Sequence, residues 1–324
     1  MLSVAALSNV AAMRIPLPGT DLEVHPLCLG GNVFGWSADA DESFALLDVY
    51  AEAGGNFIDT ADSYMWRAPG NSGGESERII GDWMAARGNR DDMVIATKVG
   101  SWPEHPGLSA ANIAEAVQGS LRRLRTDRID LYYAHRDDPD TPLVETVAAF
   151  DELVRAGTVR HVAASNYDAP RLTEALDIAE RNGLARYVAA QPHYNLMERD
   201  FEHDLAGLLT DRGLSCLPYF GLAKGFLTGK YVQDTPVESV RAEGAAAYLT
   251  DRGRAVLAVL AEVASAHAVT QGAVALAWLA DRPTVSTPIA SARTRRQLAE
   301  LLAMDGLTLA PDELNRLTEA SARP

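Results

Sequence analysis

The sequence predicts a (β/α)8 barrel, and three observations lead to this prediction. Short apolar runs bounded by Gly or Pro alternate with longer amphipathic segments along the 324 residues. Eight apolar runs occur, each followed by a helical pattern, and the barrel requires that number of strand–helix pairs. No linker-like stretch divides the chain, so residues 1–324 are expected to form one domain.

The predicted strands are the apolar runs, at residues 27–30, 56–59, 93–98, 129–135, 159–165, 187–191, 215–218 and 284–288. Helices are predicted between them at 42–53, 76–86, 111–124, 143–156, 170–181, 201–211 and 255–279, with another at 297–303. Residues 310–324 are expected to add a C-terminal helix that has Pro311 in its first turn. An N-terminal extension or hairpin precedes the barrel, and residues 1–12 are expected to be a loose extension.

The competing fold is a doubly wound open sheet. That fold usually carries a GxGxxG turn after its first strand, where the backbone approaches a pyrophosphate. Here the corresponding residues 30–35 read GGNVFG, which has the wrong spacing. The barrel is therefore the favoured fold.

Composition and charge exclude several classes of function. The net charge of −15 argues against a nucleic-acid surface, which needs clustered Lys and Arg. The apolar N-terminal segment is too short to span a membrane. Cys28 and Cys216 lie beside apolar residues without metal-ligand spacing, which predicts buried thiols in a reducing cytoplasm. The oligomeric state is left open.

Polar side chains end three successive predicted strands. Asp59 ends the second strand, Lys98 the third and His135 the fourth. Because neighbouring strands lie about 5 Å apart, these side chains can meet. Tyr64, in the loop after the second strand, brings a phenol to the same point. This is the C-terminal face, where barrel enzymes hold their active sites.

Together these four residues suit the protonation of a carbonyl oxygen. A free tyrosine has a pKa near ~10, and an adjacent ammonium such as that of Lys98 is expected to lower it. Asp59 would keep Lys98 charged, and His135 would hydrogen-bond a substrate oxygen. Each residue taken singly also has a structural explanation, as a loop cap, a solvated cation, a satisfied polar group or a packed aromatic ring.

The same residues lie in motifs that resemble the aldo-keto reductase superfamily. In chain order the motifs are NFIDTADSY (56–64), GGESERIIG (73–81), TK (97–98), DLYYAH (130–135), ASN (164–166), QPHYN (191–195), GFLTGKY (225–231) and PIASARTRRQL (288–298). The resemblance implies hydride transfer between a nicotinamide cofactor and a carbonyl compound or alcohol. It also implies that Asp59, Tyr64, Lys98 and His135 are a catalytic tetrad with Tyr64 as the acid in reduction.

The resemblance places NADP(H) on the same face of the barrel. Ser165, Asn166 and Gln191 would hold the nicotinamide amide, and Tyr219 would stack on the ring. The alternative for Ser165 and Asn166 is an ordinary turn.

A pyrophosphate is expected in the loop after the seventh strand, where backbone amides and cations can surround it. The residues expected there are Leu222, Lys224, Gly225 and Lys230. Arg241 matches a family position that closes over the pyrophosphate. A solvated charge is the alternative for Lys230 and Arg241.

The segment SARTRRQLAE opens the last helix of the barrel and concentrates positive charge near a helix N-terminus. Arg293 matches the position that meets an adenosine 2′-phosphate, which favours NADPH over NADH. Ser291, Gln297 and Glu300 match other positions on the adenosine side. The sequence departs from the common family pattern at Ala163, Phe220-Gly221, Ser291 and Leu301. Arg295 and Arg296 are expected to be surface charges outside the site.

Aromatic residues from the first loops are expected to wall a substrate pocket. They are Phe34, Trp36 and Trp66, with Arg136 adding polarity at the rim, whereas Trp102 is expected to pack under its loop. A pocket with aromatic walls is expected to bind aldehydes, ketones, quinones or sugars. No metal is expected, because His135 and the nearby aspartates lack calcium-loop or zinc spacing.

Three functions compete. The first is an NADPH-dependent carbonyl reductase. The second, suggested by regulatory subunits in the same superfamily, is a cofactor-binding, redox-sensing protein with vestigial reductase activity. The third is a non-redox barrel enzyme in which Lys98 forms a Schiff base with its substrate.

Overall fold

The computed structural model describes residues 14–231 and 242–322. Eight parallel strands form one curved sheet, in the order seven, six, five, four, three, two, one, eight. The strands are Cys28–Gly30, Phe57–Asp59, Val94–Val99, Ile129–Ala134, Val159–Ser165, Tyr187–Gln191, Ser215–Cys216 and Ile289–Ala290. The predicted barrel is confirmed, and residues 1–12, Arg241 and the end of the predicted C-terminal helix lie outside the described residues.

The barrel closes between the seventh strand and the segment that leads into the eighth. Cys216 N donates to Thr284 O at 3.1 Å, and Ser286 N donates to Cys216 O at 2.9 Å. The predicted eighth strand at 284–288 is wrong, because the regular strand is Ile289–Ala290, which pairs with Cys28 and Leu29. Pro288 has no N–H to donate, so the regular ladder begins after it.

The helices surround the sheet. They are Ala40–Glu52, Glu75–Arg87, Ala110–Leu124, Leu143–Arg155, Ala169–Asn182, Leu205–Arg212, Ala242–Ala246, Asp251–His267, Gln271–Ala280, Arg295–Leu302 and Pro311–Ala320, with short 3-10 turns at Arg90–Asp92, Asp200–Glu202 and Ala223–Thr228. Side-chain oxygens accept hydrogen bonds from backbone amides at several helix starts, as Ser109 does from Asn112 N at 3.3 Å.

Two predicted helices are corrected. The predicted helix 255–279 is two helices that meet at a 97° bend. Ala268 ends the first with a φ of 55°, and the Thr270 side chain caps the second, so the chain turns between them. The predicted helix 201–211 begins as a 3-10 turn and becomes α-helical only over Leu205–Arg212.

An antiparallel hairpin closes the N-terminal end of the barrel. Its strands are Ile15–Pro16 and Glu23–Val24. Leu17, Leu22 and Val24 are at most 2% exposed and pack against the side chains that fill the barrel interior. A larger apolar cluster joins the outer face of the sheet to the helices. Because the hairpin fills the N-terminal end of the barrel, ligands can enter only at the C-terminal ends of the strands.

The helices of residues 14–231 and 242–322 bear on whether the chain could cross a membrane. No single helix there is both long and apolar enough to cross a bilayer, and the pair Asp251–His267 and Gln271–Ala280 reaches that length only across its bend.

At the C-terminus Pro311 occupies the first turn of its helix, as the sequence predicts.

Candidate active site

A cavity of about 820 Å³ opens at the C-terminal ends of the strands. Its wall includes Tyr64 and His135 at one end and Arg293 and Gln297 at the other. Sixteen of the residues expected in the site line it, namely Asp59, Tyr64, His135, Arg136, Ser165, Asn166, Gln191, Tyr219, Leu222, Lys224, Gly225, Lys230, Ser291, Arg293, Gln297 and Glu300.

Asp59 and Lys98 form a buried ion pair at the floor of the cavity. Both side chains are almost fully buried, and Lys98 Nζ lies 2.7 Å from each Asp59 carboxylate oxygen. The same ammonium donates to Thr60 O at 2.7 Å. Burial lowers the pKa of Lys98, and the Asp59 carboxylate opposes that shift. Because its protons are engaged and its side chain is fully buried, Lys98 is poorly placed to act as a Schiff-base amine.

Tyr64 carries its hydroxyl to this pair from the loop after the second strand. The hydroxyl donates to Asp59 Oδ2 at 2.9 Å and lies 2.7 Å from Lys98 Nζ. Burial and the Asp59 carboxylate raise the pKa of Tyr64 well above its ordinary value. The expectation that Lys98 lowers this pKa is therefore wrong. Asp59 offsets the charge of Lys98, so burial decides the direction.

His135 lies beside the phenol, directly after the fourth strand. Its ring centroid is 6.0 Å from that of Tyr64, and its Nδ1 is 3.4 Å from Ser63 Oγ. Burial lowers the pKa of His135 well below its usual value, and the charges of Lys98 and Arg136 add to this shift. His135 is therefore neutral near pH 7 and can offer a hydrogen bond without a charge.

Three polar residues follow the fifth and sixth strands. Gln191 Nε2 donates to Asp59 Oδ1 at 2.9 Å, and Ser165 Oγ donates to Gln191 O at 3.0 Å. Asn166, at a φ of 57°, donates from Nδ2 to His135 O at 2.9 Å. These contacts connect the predicted nicotinamide-amide residues with the predicted tetrad.

Tyr219 forms the next part of the wall. Its hydroxyl donates to Asn166 Oδ1 at 2.8 Å. The His193 ring stacks against one face of Tyr219, with a centroid separation of 5.2 Å and an interplanar angle of 13°. Phe220 packs edge-on against both rings. The backing by His193 orients Tyr219 as an aromatic surface at the cavity.

The loop after the seventh strand presents backbone amides and cations. Ala223, Lys224 and Gly225 have successive positive φ values of 47°, 58° and 94°, a conformation of the kind found in anion-binding backbone concavities. No carboxylate among the described residues pairs with Lys224 or Lys230 within 4.0 Å. Both lysines line the cavity and remain available to a phosphate group.

The end of the cavity where adenosine is predicted to bind is built from the loops after the first and eighth strands. Ser291 Oγ donates to Asn32 Oδ1 at 2.6 Å, and Arg293 N donates to Gln297 Oε1 at 2.9 Å. Arg296 also lines the cavity and pairs with Glu300 at 2.9 Å, which corrects its expected place outside the site. It reaches the wall because helix Arg295–Leu302 begins at the cavity.

The prediction of an aromatic substrate pocket agrees least with the structure. Phe34 is fully buried in the core because the turn after the first strand points its ring away from the cavity. Trp36 and Trp66 are partly exposed but do not line the cavity, and Arg67 covers the Trp66 ring at 4.7 Å. Trp102 packs against His105 and Arg123, as predicted for a residue under its loop.

Several wall residues were not expected from the sequence, namely Asn32, Val33, Ser37, Thr228, Thr270, Gly272 and Thr294. Phe220, Gly221 and Leu301, noted as departures from the family pattern, also line the cavity. Asn32 lies two residues after the end of the first strand, so its position near a strand end was a usable signal. Thr270 and Gly272 are contributed by the start of a helix that follows no predicted site motif, and only the fold brings them here.

The residues present suit a dinucleotide cofactor. The cavity is elongated from the tetrad end to Arg293, and its far half carries Lys224, Lys230 and Arg293 without carboxylate partners among the described residues. Cationic donors and backbone amides are the chemistry that phosphate groups require. Within the described ranges no group of three or more His, Cys, Asp or Glu side chains is arranged to hold a metal ion.

Eight parallel strands with an Asp–Lys–Tyr cluster at their C-terminal ends define an α/β barrel with a candidate acid–base site. The family model for the aldo/keto reductase family matches residues 26–322, and the chain belongs to that family.

Several characterised and uncharacterised proteins are similar to this chain. An uncharacterized oxidoreductase, YrpG of Bacillus subtilis (strain 168), is 32% identical over 94% of each chain. Norsolorinic acid reductase B of Aspergillus parasiticus is 31% identical over 94% of this chain and 82% of its own length. A probable voltage-gated potassium channel subunit beta of Oryza sativa subsp. japonica is 35% identical over 92% of this chain and 93% of its own.

Proposed function

We propose that this chain is a cytoplasmic NADPH-dependent reductase that converts an aldehyde or ketone into an alcohol, with Tyr64 as the proton donor. One observation carries the proposal. The Tyr64 hydroxyl lies between Lys98 and Asp59, within 2.9 Å of both, at the wall of a cavity large enough for a dinucleotide. The reductase names among the relatives support the same reaction class.

In this proposal the four residues have separate tasks. His135, which is neutral, and Tyr64 hydrogen-bond the substrate's carbonyl oxygen. When bound, the reduced nicotinamide supplies the hydride to the carbonyl carbon. Tyr64 gives its proton to the oxygen, which becomes the hydroxyl of the product. The phenolate left behind is 2.7 Å from the Lys98 ammonium, which stabilises the new negative charge.

The choice of NADPH rests on Arg293. It lines the far end of the cavity and pairs with no carboxylate among the described residues. A guanidinium can bind a phosphate monoester through two hydrogen bonds, whereas NADH offers only a hydroxyl at that position.

The first experiment titrates the purified protein with NADPH and NADH by fluorescence and then screens neutral aldehydes and ketones. Tyr64→Phe is expected to lower kcat by at least about 100-fold while NADPH binding is kept, because it removes the general acid. Tyr132→Phe is the matched control, since that buried hydroxyl has no hydrogen-bond partner in the described part of the chain and Tyr132 does not line the cavity. Full activity in Tyr64→Phe would reject the proton-donor role.

A second function is favoured by the rice relative, whose name describes a channel subunit. In that alternative the chain binds NADPH and reports the cofactor's redox state to a partner, with vestigial chemistry. Tight NADPH binding without turnover of any carbonyl compound, together with a cofactor-dependent complex in sedimentation, would support it over the reductase.

A further inference from the structure

The cations of the cavity fall into two groups. Lys224, Lys230 and Arg293 follow the seventh and eighth strands, where the proposed cofactor phosphates bind, and Arg296, which is paired with Glu300, lies on the same side. Arg136 stands alone after the fourth strand, which lies across the barrel from the eighth in the strand order. It directly follows His135 and therefore belongs to the end of the cavity where the carbonyl would react.

Arg136 has two acidic neighbours in the chain, yet both are engaged elsewhere. Asp137 receives the Arg171 guanidinium at 2.8 and 3.0 Å. Asp138 accepts from Leu108 N and from Thr141 Oγ1, each at 2.7 Å. Both carboxylates therefore stabilise the loop through other partners, and neither compensates the positive charge of Arg136.

The Arg136 guanidinium itself is oriented by a neutral partner. Its Nε donates to Ser101 Oγ at 3.0 Å, and no carboxylate within the described ranges lies within 4.0 Å of it. Only one of its five donors is used in this contact, so the terminal nitrogens can form a two-pronged contact with an oxyanion. The other charges nearby are compensated or absent, because Lys98 is paired with Asp59 and His135 is neutral.

We propose that the substrate is a carbonyl compound that also carries a carboxylate or phosphate group, and that Arg136 binds this group while Tyr64 faces the carbonyl. This inference rests on the proposed reductase function. A chain with a net charge of −15 repels anions in general, so a local uncompensated cation at the reacting end is needed to admit one. The exposed guanidinium selects anionic substrates over neutral analogues of the same shape.

The test compares substrates that differ only in charge. 4-Carboxybenzaldehyde is paired with its methyl ester, and glyceraldehyde 3-phosphate with glyceraldehyde. Arg136→Gln is expected to lower kcat/KM for the charged member of at least one pair by about 10-fold or more, with less than about 2-fold change for the neutral members. Arg136→Lys should recover part of the loss, and the pair that responds identifies the oxyanion.

Arg67→Gln is the matched control. It removes one exposed positive charge from a loop on the same face, and Arg67 contacts Trp66 without lining the cavity. If a direct contact at Arg136 is responsible, rather than the overall charge, Arg67→Gln should leave kcat/KM unchanged for both the charged and the neutral substrates. An equal loss in both Arg variants would overturn the proposal.

Calorimetric binding of 4-carboxybenzaldehyde and of glyceraldehyde 3-phosphate to the NADP⁺-loaded protein provides a readout that needs no turnover. Weaker binding of either to Arg136→Gln than to wild type supports the contact even if the reductase proposal fails. Equal binding of both to the two proteins, or a weaker NADPH affinity in Arg136→Gln, would reject it. The second result would place Arg136 at the cofactor instead.

Discussion

At the scale of single residues, charge compensation determines what the site can do. Asp59 and Lys98 form a buried ion pair, and burial together with the Asp59 carboxylate raises the pKa of Tyr64, whereas burial together with the Lys98 charge lowers the pKa of His135. Tyr64 therefore keeps its proton, and His135 stays neutral. A proton donor with a raised pKa is suited to reduction, because it remains protonated throughout the neutral range.

The state of His135 leads to a prediction about pH. Its pKa is lowered well below the usual value, so the imidazole is already neutral at the pH where a free histidine titrates. We expect kcat/KM for a neutral aldehyde to be flat between about pH 6 and 8, measured by NADPH absorbance. An inflection between pH 6 and 7 that disappears in His135→Gln would show that the imidazole is charged in the free enzyme.

Asp62 gives a prediction about stability. It is fully buried, neither carboxylate oxygen has a well-aligned hydrogen-bond partner among the described residues, and burial with the charge of Glu77 raises its pKa to about 8 against the opposing effects of Arg123 and Ser63. A raised pKa in the folded state stabilises the fold at acid pH, and this contribution is lost as the pH rises toward 8. Asp62→Asn is therefore expected to raise the free energy of unfolding by about 2–5 kcal/mol at pH 9 and by little at pH 4.

Chemical denaturation of wild type and Asp62→Asn across this pH range checks the sign. Asp130→Asn is the contrasting variant, because that buried carboxylate is paired with Arg90 and Arg160 at 2.9 Å. It is expected to destabilise the protein at neutral pH, since Arg90 loses its carboxylate partner and Arg160 keeps only Asp21. Equal effects of the two variants would refute the distinction between an unpartnered and a paired carboxylate.

At the scale of elements, small residues decide how closely neighbouring helices pack. Helix Glu75–Arg87 approaches helix Ala110–Leu124 at Gly81, where an added Cβ would lie 2.2 Å from Arg123 O. The obstacle is backbone, which cannot rotate away. Gly81→Ala is therefore expected to lower the free energy of unfolding by about 2–3 kcal/mol, measured by denaturant titration.

Gly207 provides the control for this substitution. It lies inside helix Leu205–Arg212, and an added Cβ there meets nothing within 4 Å. Gly207→Ala is expected to stabilise the protein by about 0.5–1 kcal/mol, because alanine loses less backbone entropy in a helix. A loss of stability in Gly207→Ala equal to that in Gly81→Ala would mean that packing is not the cause.

At the scale of the whole molecule, ligand binding and barrel closure involve the same region. The hydrogen bonds from Cys216 and Ile289 that close the sheet involve the strands that lead into the loops carrying the cations of the cavity. A dinucleotide that contacts both loops stabilises the closed barrel relative to the unfolded chain. At 100 times its Kd, NADPH is expected to add about 2.7 kcal/mol to the free energy of unfolding.

Thermal shifts measure this effect. NADPH should raise Tm more than NADH at equal concentration, and Arg293→Gln should reduce that difference, since the guanidinium would contact the phosphate that only NADPH carries. Arg67→Gln should leave the difference unchanged. Identical shifts from the two cofactors in the wild-type protein would count against the role of Arg293.

The sequence predicted the barrel and the residues at its strand ends well, because alternation of apolar and amphipathic segments depends only on local order. Asp59 and Lys98 could be placed at neighbouring strand ends from their positions alone. The eighth strand and the 97° bend were missed, since Pro288 and the αL residue Ala268 change the chain direction at single positions. Phe34 was misplaced because a turn, rather than a periodic element, sets its direction.

The sequence by itself determined the fold class, the family resemblance and the identity of the groups that meet at the barrel mouth. Only the tertiary structure decided the protonation and charge compensation of these groups. The phenol of Tyr64 keeps its proton, His135 is neutral and Arg136 is uncompensated because distances, burial and the engagement of Asp137 and Asp138 by other partners set these properties. Residue order specifies which groups can meet, whereas electrostatic free energies depend on the three-dimensional arrangement of all charges around them.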